Sequence, residues 1–224
     1  MRLTPPLLLA ALLPLLGGCQ MLADKPVDPL VGTIRMQGVL SAAGGQLLFT
    51  PCTESRRFVV NDAGDTGVLQ EAANLADKGG DSLFADLRGK LGGGSQAGSD
   101  GQFDVQRLYR IETSASACSD PNFKQLTLHA SGHGPDWDVK ASGKGMVLER
   151  AGQAPLALPF LEEQMPGGRL SLSSEANEQR IELWLAPQRC VDSASGAVHH
   201  LQAELRVDGQ TLHGCGYYGG SRVD

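Results

Sequence analysis

The clearest periodicity in the chain is a repeat of two. In "QRIELWLAPQ", Ile181, Leu183 and Leu185 fall on one face of a strand and Glu182 and Trp184 on the other, because successive side chains of an extended chain point to opposite sides. Leu201, Ala203, Leu205 and Val207 alternate in the same way and run into Asp208-Gly209, a favoured two-residue hairpin turn. "HHLQAELRVDGQTLHGCG" therefore predicts a hairpin. Upstream, "QLTLHASG", "DWDVKASG" and "GMVLERAG" follow one another at about ten-residue spacing, each ended by glycine, and "RLSLSSEA" adds a further alternation. Short strands punctuated by turns in this way predict an antiparallel sandwich or barrel.

The first half carries strand signals of another kind. "GTIRMQGVLS" alternates loosely, while "GQLLFTPC" and "RRFVVND" are short apolar runs bounded by Gly, Pro or Asn-Asp. "SLFADLRGKL" and "FDVQRLYRIE" follow, the latter with Phe103, Val105 and Leu108 as core. "TGVLQEAANLADKGG" breaks the pattern. Val68, Leu69, Ala72, Ala73, Leu75 and Ala76 recur at helical spacing, with Thr66 placed to cap and Gly79 to stop the helix. "GGGSQAGSDGQ" predicts a flexible loop. Five strands and one helix within some 90 residues predict a small closed barrel. "TSASACSDPNF", residues 113–123, is polar and turn-rich, and marks the expected domain boundary. The expected fold is thus mostly β, with two small antiparallel β-barrel or sandwich domains. Residues 32–123 would form an OB-like barrel carrying one short helix, and residues 124–224 a second antiparallel unit.

The N-terminus has a different character. Arg2 precedes an apolar run of ten residues, Leu7 to Leu16, interrupted only by Pro14 and followed by Gly17, Gly18 and Cys19. A membrane-spanning helix needs about 20 apolar residues, so the run has the length of a secretory signal's apolar region. "QMLADKPVDPLV", residues 20–31, has two prolines and no periodicity, and is expected to be a tether. About ten extended residues reach roughly 33 Å.

The sequence Leu-Gly-Gly-Cys resembles the lipobox of bacterial lipoproteins. That resemblance implies cleavage after residue 18 and covalent lipid on Cys19, so that 19–31 is a lipidated N-terminus and tether. Several acyl chains on one residue anchor a protein where a single chain binds only marginally. Gln20 stands where an Asp in such lipoproteins usually directs retention in the inner membrane. By the same resemblance the chain is expected on the outer membrane, lipid-anchored and facing the periplasm.

Cys19 leaves four cysteines: Cys52, Cys118, Cys190 and Cys215. Export favours their pairing, and four cysteines allow three pairings. Cys190 ends one strand and Cys215 lies just past a hairpin that returns beside it, whereas Cys52 and Cys118 flank the first set of strands. Strand order therefore predicts Cys52–Cys118 and Cys190–Cys215. In the chain-entropy picture these loops contribute about 4.4 and 3.5 kcal/mol.

Residues 124–220 resemble a family of bacterial envelope domains that carry a Gly-Asn-Glu-Pro-Phe-Trp-like segment, a Cys-x-Asp-x-x-Ser-Gly segment and a terminal Gly-Cys. The corresponding pieces are "SGHGPDWDV", "CVDSASG" and "HGCG", with Gly, Pro and Trp retained from the first. Residues 32–112 resemble, in "FADLRGKL" and the cysteine of "FTPC", the small barrels of NlpE-type copper-homeostasis lipoproteins, without the Cys-x-x-Cys pair of that family.

Charge narrows the partners. Without residues 1–18 the chain holds 18 basic and 25 acidic residues. A net charge of −7 and no basic run argue against phosphate-backbone binding, so no nucleic-acid partner is expected. The partners expected are the membrane, through the lipid on Cys19, and an envelope protein.

Chemistry-bearing patterns are sparse. His129 and His133 in "HASGH", with His213, are the metal candidates, but strand-then-glycine need not bring the rings together, and exposed, unpaired histidines are expected instead. His199 and His200 are neighbours in a strand and point to opposite faces. There is no Gly-x-Ser-x-Gly elbow. Ser193 and Ser195 sit in the turn "DSASG", and Glu162-Glu163 are adjacent and expected in a loop. "LGGGSQAG" lacks the Lys-Ser/Thr of a phosphate loop. Trp137 and Trp184 are core candidates. Trp137, Ser195, Gly196 and His199 are the candidate ligand or partner surface.

The expected function is a lipid-anchored envelope binding or sensing module with no catalytic group and no cofactor. One alternative is a lysozyme-type inhibitor, from the resemblance of "ASGAVHH" to a Ser-Gly-x-x-Tyr loop with His199 at the tyrosine position. The other is a copper or zinc homeostasis lipoprotein. Cys19→Ser is expected to abolish incorporation of a palmitate analogue in metabolic labelling. Label persisting in the variant would contradict the lipobox.

Overall fold

The computed structural model describes residues 30–79, 82–94, 98–114, 117–176 and 179–222. The signal, Cys19 and most of the tether lie outside them. The described chain is mostly strand, with one α-helix.

The first five strands are β1 (Ile34–Ala43), β2 (Gln46–Pro51), β3 (Phe58–Asp62), β4 (Leu83–Gly92) and β5 (Gly101–Glu112). They pair in the order β3-β2-β1-β4-β5, and a parallel pairing of β3 with β5 closes the ring. Closure removes the free edges that five short strands would otherwise expose. Leu40, Phe49, Phe58, Leu87, Phe103 and Val105 fill the interior, with Phe49 and Phe103 stacked at 5.4 Å.

Helix α1 (Val68–Ala76) connects β3 to β4 and packs Val68, Ala72 and Leu75 on the barrel. Its N-cap is Gly67, in the left-handed region at φ 76°, and not Thr66. Asp62 explains the shift. Its carboxylate accepts the backbone N–H of Thr66 and of Gly67, both at 2.8 Å, and the Thr66 hydroxyl at 2.9 Å. A carboxylate at a helix start also opposes the positive end of the helix dipole.

The second half holds β6 (Leu126–Gly132), β7 (Trp137–Ser142), β8 (Gly145–Arg150), β9 (Leu156–Leu158), β10 (Leu161–Met165), β11 (Arg169–Ala176), β12 (Gln179–Val191), β13 (Val198–Val207) and β14 (Gln210–Tyr218). The order β9-β8-β7-β6-β14-β13-β12-β11-β10 is antiparallel throughout. Its two outer strands, β9 and β10, are separated by only Pro159 and Phe160. So short a link forces the sheet to curl until its edges approach. Leu128, Val139, Leu148, Leu172, Leu183 and Leu205 lie inside the curl. Asp208 and Gly209 form the expected β13–β14 turn, at φ 53° and 72°. Glu162 and Glu163, expected in a loop, lie in β10, where β11 supplies a partner for each.

The boundary expected at residues 113–123 does not separate the hydrogen bonding. β13 pairs with β5 through Val198–Ile111 and His199–Arg110, so one sheet runs through both halves. The cores interlock too. Tyr109 of β5 packs in the second core, and Val198 of β13 in the first. Register slips between Asp86 and Leu87 and between Arg88 and Gly89 make this possible, since a one-residue slip turns the following side chains to the other face. At Gly89 a Cβ would come within 2.2 Å of the Asp104 carbonyl oxygen, so the slip needs glycine there.

Cys52 is joined to Cys118 and Cys190 to Cys215, the two pairs argued from strand order. An arginine held in a buried ion pair fastens one half to the other. Arg35 donates from Nε and Nη2 to the Asp86 carboxylate at 2.9 and 2.7 Å. The same guanidinium donates to the carbonyls of Tyr218 and Gly219 and lies 3.9 Å from the centre of the Tyr109 ring. Asp86 is fully buried. Asp86→Ala strands a buried guanidinium and is expected to cost about 3–5 kcal/mol. Because the sheet is shared, urea unfolding of this variant should show both halves lost in one transition at a lower midpoint.

Candidate functional site

A cavity of about 370 Å³ lies where the two halves join. Arg110 of β5 forms part of its wall. The tail of β5 turns Arg110 away from both cores, yet the packing around it leaves it only 5% exposed. Its guanidinium carbon sits 4.6 Å from the Phe84 ring centre and 4.2 Å from that of Tyr217. Nη1 donates to the Tyr217 hydroxyl at 2.8 Å and lies 3.7 Å from Glu112. Nε and Nη2 are buried and have no hydrogen-bond partner among the described residues.

His199 faces Arg110 across the β5–β13 pairing. It is 6% exposed, meets the Tyr217 ring edge-on at 5.3 Å, and neither ring nitrogen has a partner among the described residues. Burial, then the Arg110 charge and His129, push its pKa down to about 3, so the ring is neutral. Burial also lifts the Tyr217 phenol to about 12, against the opposing pull of Arg110.

His129 of β6 approaches the other side of Tyr217, at 4.9 Å between ring centres. Its Nε2 pairs with Asp138 at 2.5 Å, and its Nδ1 is buried without a partner among the described residues. Burial alone would raise the Asp138 carboxyl, but His129 and Lys140 outweigh it and hold it below the usual range.

At the rim, His133 bonds Asp136 at 2.8 Å and Asp192 at 3.1 Å. The bond to Asp136 is the main cause of its raised pKa. Asp192 also accepts the backbone N–H of Ala194 and Ser195 and, at 2.6 Å, the Ser195 hydroxyl. These bonds overcome the desolvation that would raise its carboxyl and leave it lowered. "DSASG" is therefore a turn closed on its own aspartate, the local bonding that Asp and Ser favour. The order Ser195–Asp192–His133 puts the carboxylate in the middle, so His133 does not reach the hydroxyl as a base.

A second cavity, of about 480 Å³ and more apolar, has Leu108, Val198, Leu201 and Pro187 in its wall, with Arg189 and Tyr218. Arg189 is held by Glu71 of α1, another tie between the halves.

Of the candidates from the sequence, His129, His133, Ser195 and His199 come together at the junction cavity. His213 does not. It is exposed on β14 beside Glu204, at another depression. The histidines expected to be exposed and unpaired are otherwise: His129 and His133 pair with carboxylates, His199 is buried, and His200 bonds the Tyr109 carbonyl at 3.0 Å. Trp137 is 3% exposed and belongs to the second core, not to a ligand surface. Its ring lies over two glycines. A Cβ on Gly132 would come within 2.5 Å of the ring, and one on Gly214 within 2.8 Å. Gly196 takes φ 73° at the end of the Asp192 turn, with Lys78 and Leu75 nearest to it.

Sequence reasoning passed over Arg110 and Tyr217. Arg110 sits in an ordinary strand pattern, and only the slips in β5 decide where it points. Compared with known proteins, the chain matches no family model, no curated protein and no solved structure.

The depressed pKa of His199 makes stability depend on pH. The unfolded chain takes the proton first, near pH 6.5. The folded chain takes it only near pH 3. Stability is therefore lost as pH falls between those values, at about 1.4 kcal/mol per unit from this group. His133, shifted upward, works in the opposite sense. Asp138 and Asp192, shifted downward, act only at lower pH, below about 4. His199→Gln is expected to lose about 2 kcal/mol less than the parent chain between pH 7 and pH 5, measured by urea unfolding. Parallel losses in the two proteins would contradict the assignment.

Proposed function

We propose that this chain is a lipid-anchored binding or sensing module of the cell envelope, acting without catalysis, and that its ligand seats in the junction cavity. In this reading Cys19 carries the lipid and the anchor lies in the outer membrane, facing the periplasm. The folded part comprises an OB-like barrel and a second β unit, and the site is built where they meet. One observation carries the reading. Buried donors and acceptors on Arg110, His199 and His129 have no partner among the described residues, and all three side chains line one cavity. Leaving such groups unbonded costs about 1–3 kcal/mol each, more for a charged one. A ligand that bonds them recovers part of that cost. Three such side chains gathered round one cavity make it the candidate ligand site.

The rival readings draw less support. An inhibitory loop would have to present Ser195 and His199 outward; Ser195 is exposed, but His199 is buried. A metal site at His129, His133 and His213 would need them together, and no such group of three ligands occurs among the described residues.

The purified full chain in detergent should be stabilised in thermal unfolding by a low-molecular-weight fraction of the cell envelope. A ligand at 100 times its Kd would add about 2.7 kcal/mol. The fraction should remain chemically unchanged after prolonged incubation. Conversion of a component would make the chain an enzyme, and no stabilisation by any fraction would remove the binding reading.

A further inference from the structure

Arginine meets carboxylate in this chain through a recurring geometry. Arg35 grips Asp86 with its Nε–Nη2 edge, at 2.9 and 2.7 Å. Arg189 holds Glu71 with the same edge, Nη2 lying 2.9 Å from Oε2. Arg222 instead grips Glu162 with Nη1 and Nη2, and Arg110 does neither. Its one hydrogen bond among the described residues, to Tyr217, and its contact with Glu112 both use Nη1. The Nε–Nη2 edge is left without a partner among those residues. The guanidinium is clamped between the Phe84 and Tyr217 rings, so that edge is held in a fixed plane. A fixed, planar pair of donors matches a planar pair of acceptors, and the two parallel charge-assisted bonds are among the strongest that side chains make.

The surroundings limit the ligand. Glu112 and Asp192 also line the cavity and oppose a multiply charged anion. The neutral His199 ring offers a hydrogen bond without adding charge, and the buried Nδ1 of His129 stands in the same wall. At about 370 Å³ the cavity lies near the lower end of the roughly 300–1,000 Å³ found for small-molecule sites. We infer that the junction cavity takes a small monocarboxylate, held bidentately by Nε and Nη2 of Arg110 and bonded by the ring of His199. Both nitrogens of that edge are closed to bulk water. The carboxylate therefore reaches them by turning aside a side chain of the wall. The His199 ring is held by no hydrogen bond among the described residues, and in this proposal it is the side chain that turns.

The inference rests on the binding-module reading and is tested separately from it. The purified full chain is titrated calorimetrically with acetate, propionate and glycine, and with inorganic phosphate as the tetrahedral comparison. The carboxylates are expected to bind saturably at one site, phosphate at least tenfold more weakly, and Arg110→Lys to weaken acetate at least tenfold. Absence of carboxylate binding, equal binding of phosphate, or unchanged affinity in Arg110→Lys overturns the inference. If Arg110→Lys does not fold, the His199 resonances of the unaltered chain decide. Saturation with acetate at pH 7 should shift the His199 ring resonances saturably at one site; resonances that do not move overturn the inference. A chain stabilised by envelope extract that ignores every carboxylate loses this ligand assignment alone. One that responds to neither loses the binding reading as well.

Discussion

Strand β5 lines two cores. Phe103 and Val105 face the barrel, Tyr109 faces the interior of the larger sheet, and Ile111 returns to the barrel. An uninterrupted strand would keep a strict alternation and could not serve both. The two register slips against β4 supply the change of face. Much else follows from them. The end of β5 becomes available to β13, Tyr109 becomes the floor on which Arg35 stacks, and Arg110 is left in the seam between the cores.

The seam is held by polar contacts set into an apolar surround. Arg35 reaches from β1 to Asp86 on β4 and to the carbonyls at the end of β14. Glu71 on the helix holds Arg189 on β12. The Arg35–Asp86 pair is costly to break singly, since the remaining charge stays largely out of water. Each disulfide closes a loop within one half. The cross-links thus stabilise the halves, while the shared sheet, the Arg35 bonds to the β14 end and the Glu71–Arg189 pair fix how they meet.

The same seam gathers several of the buried groups that the fold leaves without a partner among the described residues. Asp86 is answered by Arg35, and at the rim Asp192 is answered by its own turn and His133. Around Tyr217 an arginine edge and imidazole nitrogens remain without partners among the described residues. Burial first, and then the Arg110 charge beside it, keep His199 neutral.

What the sequence determined by itself is local. Alternation placed the strands around Ile181 and Ala203, Asp208-Gly209 placed the final hairpin, and helical spacing placed α1, because each depends on residues a few positions apart. The disulfide pairs were legible through strand order. The union of the halves was not legible, since it rests on a two-pair contact between β5 and β13 and on slips that depend on what packs beside them. The helix cap moved from Thr66 to Gly67 because Asp62 folds back onto it. The burial of Trp137 was decided by glycines on two different strands, Gly132 and Gly214. Arg110 and Tyr217, 107 positions apart, meet only in the folded chain. A strand pattern tells which residues share a face, but which faces enclose a cavity is set by long-range pairing.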